Sequence, residues 1–291
     1  MHLDGRNIKM TCARFPIRFG GQTLKSAAIV FMMVLTFHVA AFAIESPKLS
    51  ADQSSLLEDT RAYALQYTQR LPDFICAQTT RREVTAHMSG SLAPVVLDNL
   101  SDVVEEQLSY VGGKEKYVVL TIDGKKAPGI THAQLDGAIS WGEFGSLLSQ
   151  IFDPASHAIF SWDREERVNG RRGWAYKYHV PKESGTTVID QSTNQVVVVS
   201  YSGRVIIDPD TKDVLEVTSV LDVPGTFRIR NVTRKILYGN QDIAGKQYCL
   251  PLHSELQMER GTRIFDNRID FKDYHHFSSN STIHFDSPNP Q

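Results

Sequence analysis

The chain has 291 residues, with 31 Lys plus Arg against 33 Asp plus Glu, a formal net charge of -2 and a pI near 6.6. Its 41% hydrophobic content is typical of a globular protein and excludes a disordered or collagen-like chain. The near-neutral charge supplies no general attraction for phosphate, so we predict no nucleic-acid partner.

The first predicted element is a secretory signal peptide at residues 1–43. Residues 26–43 read SAAIVFMMVLTFHVAAFA, an apolar run that follows several basic residues and ends at Ala41-Phe42-Ala43, a small-x-small cleavage pattern. A membrane anchor is the alternative, although His38 interrupts the run. Cleavage near Ala43 predicts a periplasmic or secreted protein, peripheral to a membrane at most, and leaves the start codon open between Met1 and Met10.

Residues 44–291 are predicted to form a single domain, because they contain no linker-like composition, no charge block and no internal repeat. Two cysteines remain in this part, Cys76 and Cys249. In an oxidising compartment they are expected to form one disulfide, with two buried free thiols as the alternative.

The domain is predicted to open with an amphipathic helix over 51–71, because Ser50 and Gln53 form a capping-box pattern and apolar residues follow at helical spacing until Pro72. Alternating β-branched residues then predict strands at 74–86, 103–111 and 117–122.

A second, short helix is predicted over 143–151, with Pro154 ending it. Beyond it the pattern returns to strands joined by short turns, at 158–162, 174–180, 195–201, 204–207, 214–223, 227–238, 248–258, 262–274 and 281–285.

Short turns between consecutive strands predict an antiparallel sheet, since parallel pairing needs long crossovers. We therefore predict an α+β, mainly β fold: a large curled antiparallel sheet, open as a half-barrel, with the N-terminal helix and one or two short helices on its concave face.

Apolar side chains of the second helix and an aromatic set on the strands after it are the candidate lining of a ligand groove. Plain core packing is the alternative, since alternating aromatics on strands usually pack on each other. The candidate lining residues are Phe144, Leu147, Leu148, Ile151, Phe160, Trp162, Trp174, Tyr176 and Tyr178.

Motifs for metal or covalent chemistry are weak, so we predict no catalytic residue, no metal site and no cofactor. Asp208, Asp210 and Asp213 lack the pattern of an EF-hand and favour a solvated turn. Adjacent His275 and His276 point to opposite faces of a strand, which opposes a shared zinc site.

Several segments resemble the LolA/LolB-like superfamily of lipoprotein-localisation carriers, which includes the RseB-like regulator of the envelope stress response. The segments are the helix 51–71, the strand-turn-strand RVIIDPDT at 204–211 with VLEV at 214–217, and NRIDFKDY at 267–274. In that superfamily a strand runs into an Asp-Pro-x-Thr turn in this way. The segments LPDFIC at 71–76 and WGEFGS at 141–146 look like uncharacterised secreted proteins of the acidobacterial type. The chain differs from the carriers in its greater length and in the additional segment 130–160.

The resemblance implies a carrier-like binding protein that holds an acyl chain, another lipid-like ligand or a lipoprotein in the concave sheet. Separately, Gly142 and Gly145 beside the second helix make hinging possible, so we predict helix 143–151 as a movable lid. The alternative is an interaction or sensing module for an envelope protein, with a solidly packed sheet and no cavity. A secreted hydrolase is the least favoured, for want of a catalytic motif.

Overall fold

The structure is a computed structural model that describes residues 48–86, 93–135, 137–139, 142–190 and 192–277. The predicted signal peptide and the predicted strand 281–285 lie outside the described residues.

Two α-helices and fourteen strands make up the described part of the chain. The helices are α1 (Ala51–Arg70) and α2 (Ser146–Phe152). The strands are β1 (Phe74–Ala86), β2 (Val95–Val96), β3 (Asp102–Val111), β4 (Lys114–Ile122), β5 (Lys125–Lys126), β6 (Ile159–Val168), β7 (Arg171–Val180), β8 (Thr186–Asp190), β9 (Gln195–Val199), β10 (Tyr201–Ile207), β11 (Val214–Leu221), β12 (Ile229–Ile243), β13 (Lys246–Arg260) and β14 (Arg263–His276).

Twelve strands form one antiparallel sheet in the order β5-β4-β3-β1-β14-β13-β12-β11-β10-β7-β6, with β2 paired to β1. The first and last long strands, β1 and β14, are neighbours in its middle, which joins two meanders into one surface. The sheet is curled and open, because β4–β5 and β6 lie at opposite edges and do not pair. The predicted fold class is therefore confirmed.

One stretch of the sequence forms a different structure from the predicted strand 195–201. The chain turns at Ser200, so that β10 joins the large sheet while β9 pairs with β8 in a separate two-stranded sheet. Strand β8 was not predicted from the sequence, although it is as long as β9.

Helix α1 begins as the capping box predicts: the Ser50 side chain accepts a hydrogen bond from the Gln53 backbone N–H, and the Gln53 side chain accepts one from the Ser50 N–H. Its buried face packs on the sheet, where Tyr67 donates from its hydroxyl to the Cys249 carbonyl at 2.7 Å. The Tyr176 hydroxyl donates back to the Gln53 carbonyl at 3.0 Å. One buried and one part-buried hydrogen bond thus fix the two ends of the helix on the sheet.

Helix α2 is shorter than predicted, and Gly145 lies just before it with φ of 118°. A Cβ at this position would lie 2.8 Å from the Tyr67 ring and 2.7 Å from the Thr68 methyl group of α1. Only glycine therefore permits both this backbone conformation and the close approach of the two helices.

The structure does not contain the predicted disulfide: Cys76 and Cys249 are both free and buried. Cys76 packs with Phe74, Leu108 and Tyr274, whereas Cys249 belongs to a separate apolar cluster beneath α1. The two thiols are core side chains in different parts of the sheet, so the alternative of two buried free thiols replaces the disulfide.

Candidate ligand cavity

A cavity of about 590 Å³ lies on the face of the large sheet that also carries the helices. This volume is within the range of small-molecule binding sites in proteins. The wall combines the sheet, the β8–β9 hairpin, one side of α2, and Leu135 with residues 137–139, which together we call the segment 135–139. The described lining residues are Leu135, Gly137, Ala138, Ile139, Leu147, Gln150, Thr186, Thr187, Val188, Ile189, Asp190, Ser192, Tyr201, Ser219, Leu221, Ile229, Val232, Arg234, Leu256, Met258 and Arg260.

Three neighbouring strands of the sheet, β11, β12 and β13, contribute side chains to the cavity wall. Ser219 and Leu221 on β11, and Leu256 and Met258 on β13, lie two residues apart and so face the same side of the sheet. The same face continues along these strands beneath α1 and α2. We call the part beneath the helices the helix-covered half, which contains Tyr176, Tyr178, Val217, Ile236 and Tyr238. We call the part facing the cavity the hairpin-covered half, which contains Ser219, Leu221, Val232, Leu256 and Met258.

The β8–β9 hairpin covers the cavity from outside the large sheet. Val188 and Val199 on its inner face are buried and pack in one apolar cluster with Ile229 and Leu256. At its tip, Asp190 accepts hydrogen bonds from the Ser192 N–H and hydroxyl, at 3.0 and 2.6 Å. These bonds lower the pKa of the Asp190 carboxyl, with the Ser192 hydroxyl as the largest cause. Asp190 therefore holds the turn as an anion.

The segment 135–139 forms the second cover and is anchored to the sheet by polar side chains. The Asn267 amide donates to the Ala138 carbonyl at 2.7 Å. Just before the segment, buried His132 contacts the buried Glu106 carboxylate at 2.8 Å through Nδ1 and stacks on Tyr117 with ring centroids 4.2 Å apart. The cover is thus tied to β14 and β3 at separate points.

Of the nine residues predicted to line a groove, Leu147 is among the cavity residues. The other eight lie elsewhere in the domain. Phe144 precedes α2 and packs against Phe74 and Phe271, with ring centroids 5.3 Å from each. It belongs to a different apolar cluster from Leu148 and Ile151, which are buried in the helix-covered half.

The five aromatic residues of that set that follow α2 in the chain pack mainly on one another. Trp162 meets Trp174 and Tyr176 edge to face, with centroids 5.6 and 5.5 Å apart, and Phe160 lies against Tyr178 at 6.3 Å. Trp174, Tyr176 and Tyr178 share one face of β7, as their spacing predicts. Tyr176 and Tyr178 are buried in the helix-covered half, and the partly buried Phe160, Trp162 and Trp174 pack against its margin.

The predicted movable lid, helix 143–151, is instead a core element. Four of the seven residues of α2 are buried, and the Tyr238 hydroxyl donates to the Glu143 carbonyl at 3.2 Å. The cavity is covered by the β8–β9 hairpin and by the segment 135–139. A signal for the hairpin was present in the sequence, since TTVID at 186–190 and QVVVV at 195–199 flank a polar turn.

The aspartates considered for calcium serve the turn between β10 and β11. Asp208 accepts hydrogen bonds from the Asp210 and Thr211 N–H groups, and Arg171 bridges Asp208 and Asp213. Burial by itself would raise the pKa of Asp208, but these N–H groups and Arg171 lower it. Across the described residues, no group of three or more metal-ligating side chains comes together. His284, which follows His275 and His276 closely in the sequence and could add a third imidazole, lies outside them.

The two thiols have the electrostatics of core groups. Burial raises the pKa of Cys249 to about 12 and that of Cys76 further above its ordinary value. Both are therefore protonated at neutral pH, which is the opposite of an activated nucleophile.

Among the described helices, none is both long and apolar enough to cross a membrane.

No protein-family model matches the sequence, and no curated relative matches it. Solved structures do match. A domain described as an outer membrane lipoprotein-sorting protein from Vibrio parahaemolyticus is 8% identical, with a TM-score of 0.34, over 77% of this chain and 92% of that chain. A DUF1329 family protein from Desulfovibrio piger is 12% identical, with a TM-score of 0.38, over 77% and 95%. A LolA superfamily protein from Nitrosomonas europaea is 10% identical, with a TM-score of 0.25, over 76% and 91%.

The match from Nitrosomonas europaea is described by the name of the superfamily that several segments of this sequence resemble. Because all three TM-scores are below 0.5, these matches carry no conclusion about the fold family, the role or the ligand of this chain.

Proposed function

We propose that the protein is an exported carrier-like binding protein that holds an acyl chain or another lipid-like ligand, free or as part of a lipoprotein, in the hairpin-covered half of its sheet. The observation that carries the proposal is the cavity of about 590 Å³ bounded by Leu221, Leu256 and Met258 on the sheet and by Val188 on the hairpin. An interaction module built on a solidly packed sheet is less favoured, because it predicts no such space.

The driving force is burial of apolar ligand surface, at roughly 25 cal/mol per Å². Polar side chains lie along the same wall, including Ser192, Ser219 and Gln150. They suit a ligand whose apolar part is long and whose polar part is small, as in a fatty acyl chain, because polar groups fix orientation while apolar area supplies affinity.

The first experiment is native mass spectrometry, with lipid extraction, of the protein purified from the envelope of its own host. Bound lipid at a defined stoichiometry supports the carrier. Delipidated protein is then titrated with a fluorescent fatty acid to obtain an affinity, and periplasmic fractionation tests export.

The binding site is located with a cavity-filling variant. Val232 is half-buried and lines the cavity, so Val232→Trp is expected to lower affinity for the fatty acid at least tenfold. Val118→Trp is the matched control, since Val118 is 42% exposed on β4 and does not line the cavity. A clean apo mass together with no fatty-acid uptake would refute the carrier, and equal affinity of both variants would place binding outside the cavity.

A further inference from the structure

The outer face of the β8–β9 hairpin exposes β-branched apolar side chains to solvent. Ile189, which also borders the cavity at the edge of β8, is 54% exposed, Val196 is 61% exposed and Val198 is 42% exposed. Ile189 lies opposite Val196 in the hairpin, and Val198 follows on the same face next to Thr187. Three such residues on two five-residue strands form a continuous apolar surface.

This surface lacks the protection that exposed strands usually carry. Asp190 is the one charged residue in β8 and β9, and it is buried at the tip. Within the described residues the hairpin pairs with no third strand, so both of its edges are open. Natural proteins shield such edges with charged side chains or cover them, because they otherwise aggregate. An apolar, open-edged hairpin therefore indicates a surface that another body covers.

The neighbouring end of the large sheet is cationic. Arg228 acts electrostatically on Asp190 and so lies close to the hairpin tip. Arg230 follows on β12, where its guanidinium donates to the Gly261 carbonyl in the β13–β14 turn, and Arg263 ends that turn. All three arginines are exposed, and Glu259 is the acidic residue that pairs opposite Arg230. A local positive charge therefore stands beside the tip of the apolar surface, whereas exposed Asp222 lies at the base of the hairpin, where it accepts a hydrogen bond from the Ser200 hydroxyl.

We propose that the outer face of the β8–β9 hairpin, with Arg228, Arg230 and Arg263 beside it, docks on the surface of an anionic lipid bilayer. This inference rests on the proposed function, because the inner face of the same hairpin bounds the cavity. Docking would bring the cavity's cover into contact with the membrane, so that a lipid-like ligand crosses little water between bilayer and protein.

Charge and geometry favour a bilayer surface as the body that covers the hairpin, over a second copy of the chain. Exposed arginines attract anionic headgroups, while Ile189, Val196 and Val198 enter the boundary between headgroups and acyl chains. The open backbone edges must remain hydrated, because unsatisfied N–H and C=O groups are costly in hydrocarbon. The hairpin therefore lies in the interface plane and does not span the membrane.

The test is co-sedimentation of the whole mature protein with phosphatidylcholine vesicles that contain or lack phosphatidylglycerol. We expect binding to the anionic vesicles that weakens with added salt. Val198→Asp is expected to lower this binding at least tenfold. Val118→Asp is the matched control, since Val118 and Val198 are equally exposed, at 42%, and Val118 lies on β4.

The charged part is tested by reversing two arginines. Arg228→Glu with Arg263→Glu is expected to abolish the preference for anionic vesicles. Lys114→Glu with Lys116→Glu makes the same change in net charge on β4, at exposed positions, and is expected to retain the preference. If Val198→Asp disturbs the hairpin, Val196→Thr with Val198→Thr keeps the β-branched shape and removes apolar surface.

The outcomes separate this inference from the carrier function. Outer-face variants that lose vesicle binding and still take up fatty acid from solution support docking, and Val232→Trp is expected to bind vesicles normally. Absence of wild-type binding to anionic vesicles overturns the docking proposal and leaves the carrier standing. Loss of a dimer in Val198→Asp, without any vesicle binding, would assign the surface to a second copy of the chain.

Discussion

The two halves of one sheet face differ in how they are covered, and that difference creates the candidate site. In the helix-covered half, long apolar and aromatic side chains of α1 and α2 pack on Tyr176, Ile236 and Tyr238. These side chains fill the space between the helices and the sheet. In the hairpin-covered half, short strands lie over Leu221 and Leu256 and leave about 590 Å³. The same strands thus support a packed core or a cavity, depending on the volume of the side chains above them.

The largest expected effect is a difference in unfolding free energy between the same Leu→Ala substitution made in each half. Leu148→Ala, in the helix-covered half, is expected to cost about 2–5 kcal/mol of unfolding free energy, because Leu148 is fully buried. Leu256→Ala, beside the cavity, is expected to cost about 1–2 kcal/mol, since its side chain has fewer atoms around it to lose. Denaturant titration of both variants measures the difference, and equal losses would mean that the two halves are packed alike.

The helix-covered half also depends on the close approach of its two helices. Gly145→Ala is expected to destabilise the protein by about 1–3 kcal/mol, because its Cβ meets Tyr67 at a positive φ. Gly124→Ala, at a φ of 71° with open space around it, is the control and should cost about 1 kcal/mol. Thermal unfolding compares them. A smaller loss for Gly145→Ala than for Gly124→Ala would argue against tight α1–α2 packing.

A smaller effect concerns the turn that connects β10 and β11. Asp208→Asn is expected to cost about 1–2 kcal/mol at pH 7, because Asp208 accepts hydrogen bonds as an anion and pairs with Arg171. Because the pKa of Asp208 is lowered in the folded protein, its contribution to the unfolding free energy is complete at pH values above the ordinary aspartate pKa of about 3.9. It is lost as the pH falls through the lower value of the folded state.

Unfolding free energies of the wild type and Asp208→Asn should therefore converge below about pH 4. Asp222→Asn, at an exposed position between β11 and β12, serves as the control. A gap between wild type and Asp208→Asn that persists at low pH would mean that the carboxylate charge is not the source of the stability.

The last prediction is that reduction has no effect on the stability of the protein. Because Cys76 and Cys249 are free thiols in separate clusters, a reducing agent should leave the unfolding temperature unchanged. Thiol counting under denaturing, non-reducing conditions should find Cys76 and Cys249 both reactive. One disulfide and no thiols would contradict the structure and restore the pairing predicted from the sequence.

Much of the fold could be predicted because its signals are local. The capping box at Ser50 and Gln53 marks the start of α1, and the boundaries of β1 agree with the predicted strand 74–86. Turns such as Asp123-Gly124 require positive φ, which the structure has at both residues. The candidate site was harder to predict from the sequence than the fold. Of the nine residues predicted to line it, Leu147 alone lines the cavity.

The amino-acid sequence by itself determined the element types, the antiparallel pairing and which side chains share a face, because periodicity and turn chemistry act over a few residues. The tertiary structure alone decided that β1 pairs with β14, that the two thiols lie apart and that β8 and β9 leave the large sheet. It also decided where the apolar face is filled and where it is open. A cavity forms where side chains that are distant in sequence together fail to fill the space between two elements. No local pattern in the sequence encodes that shortfall in volume.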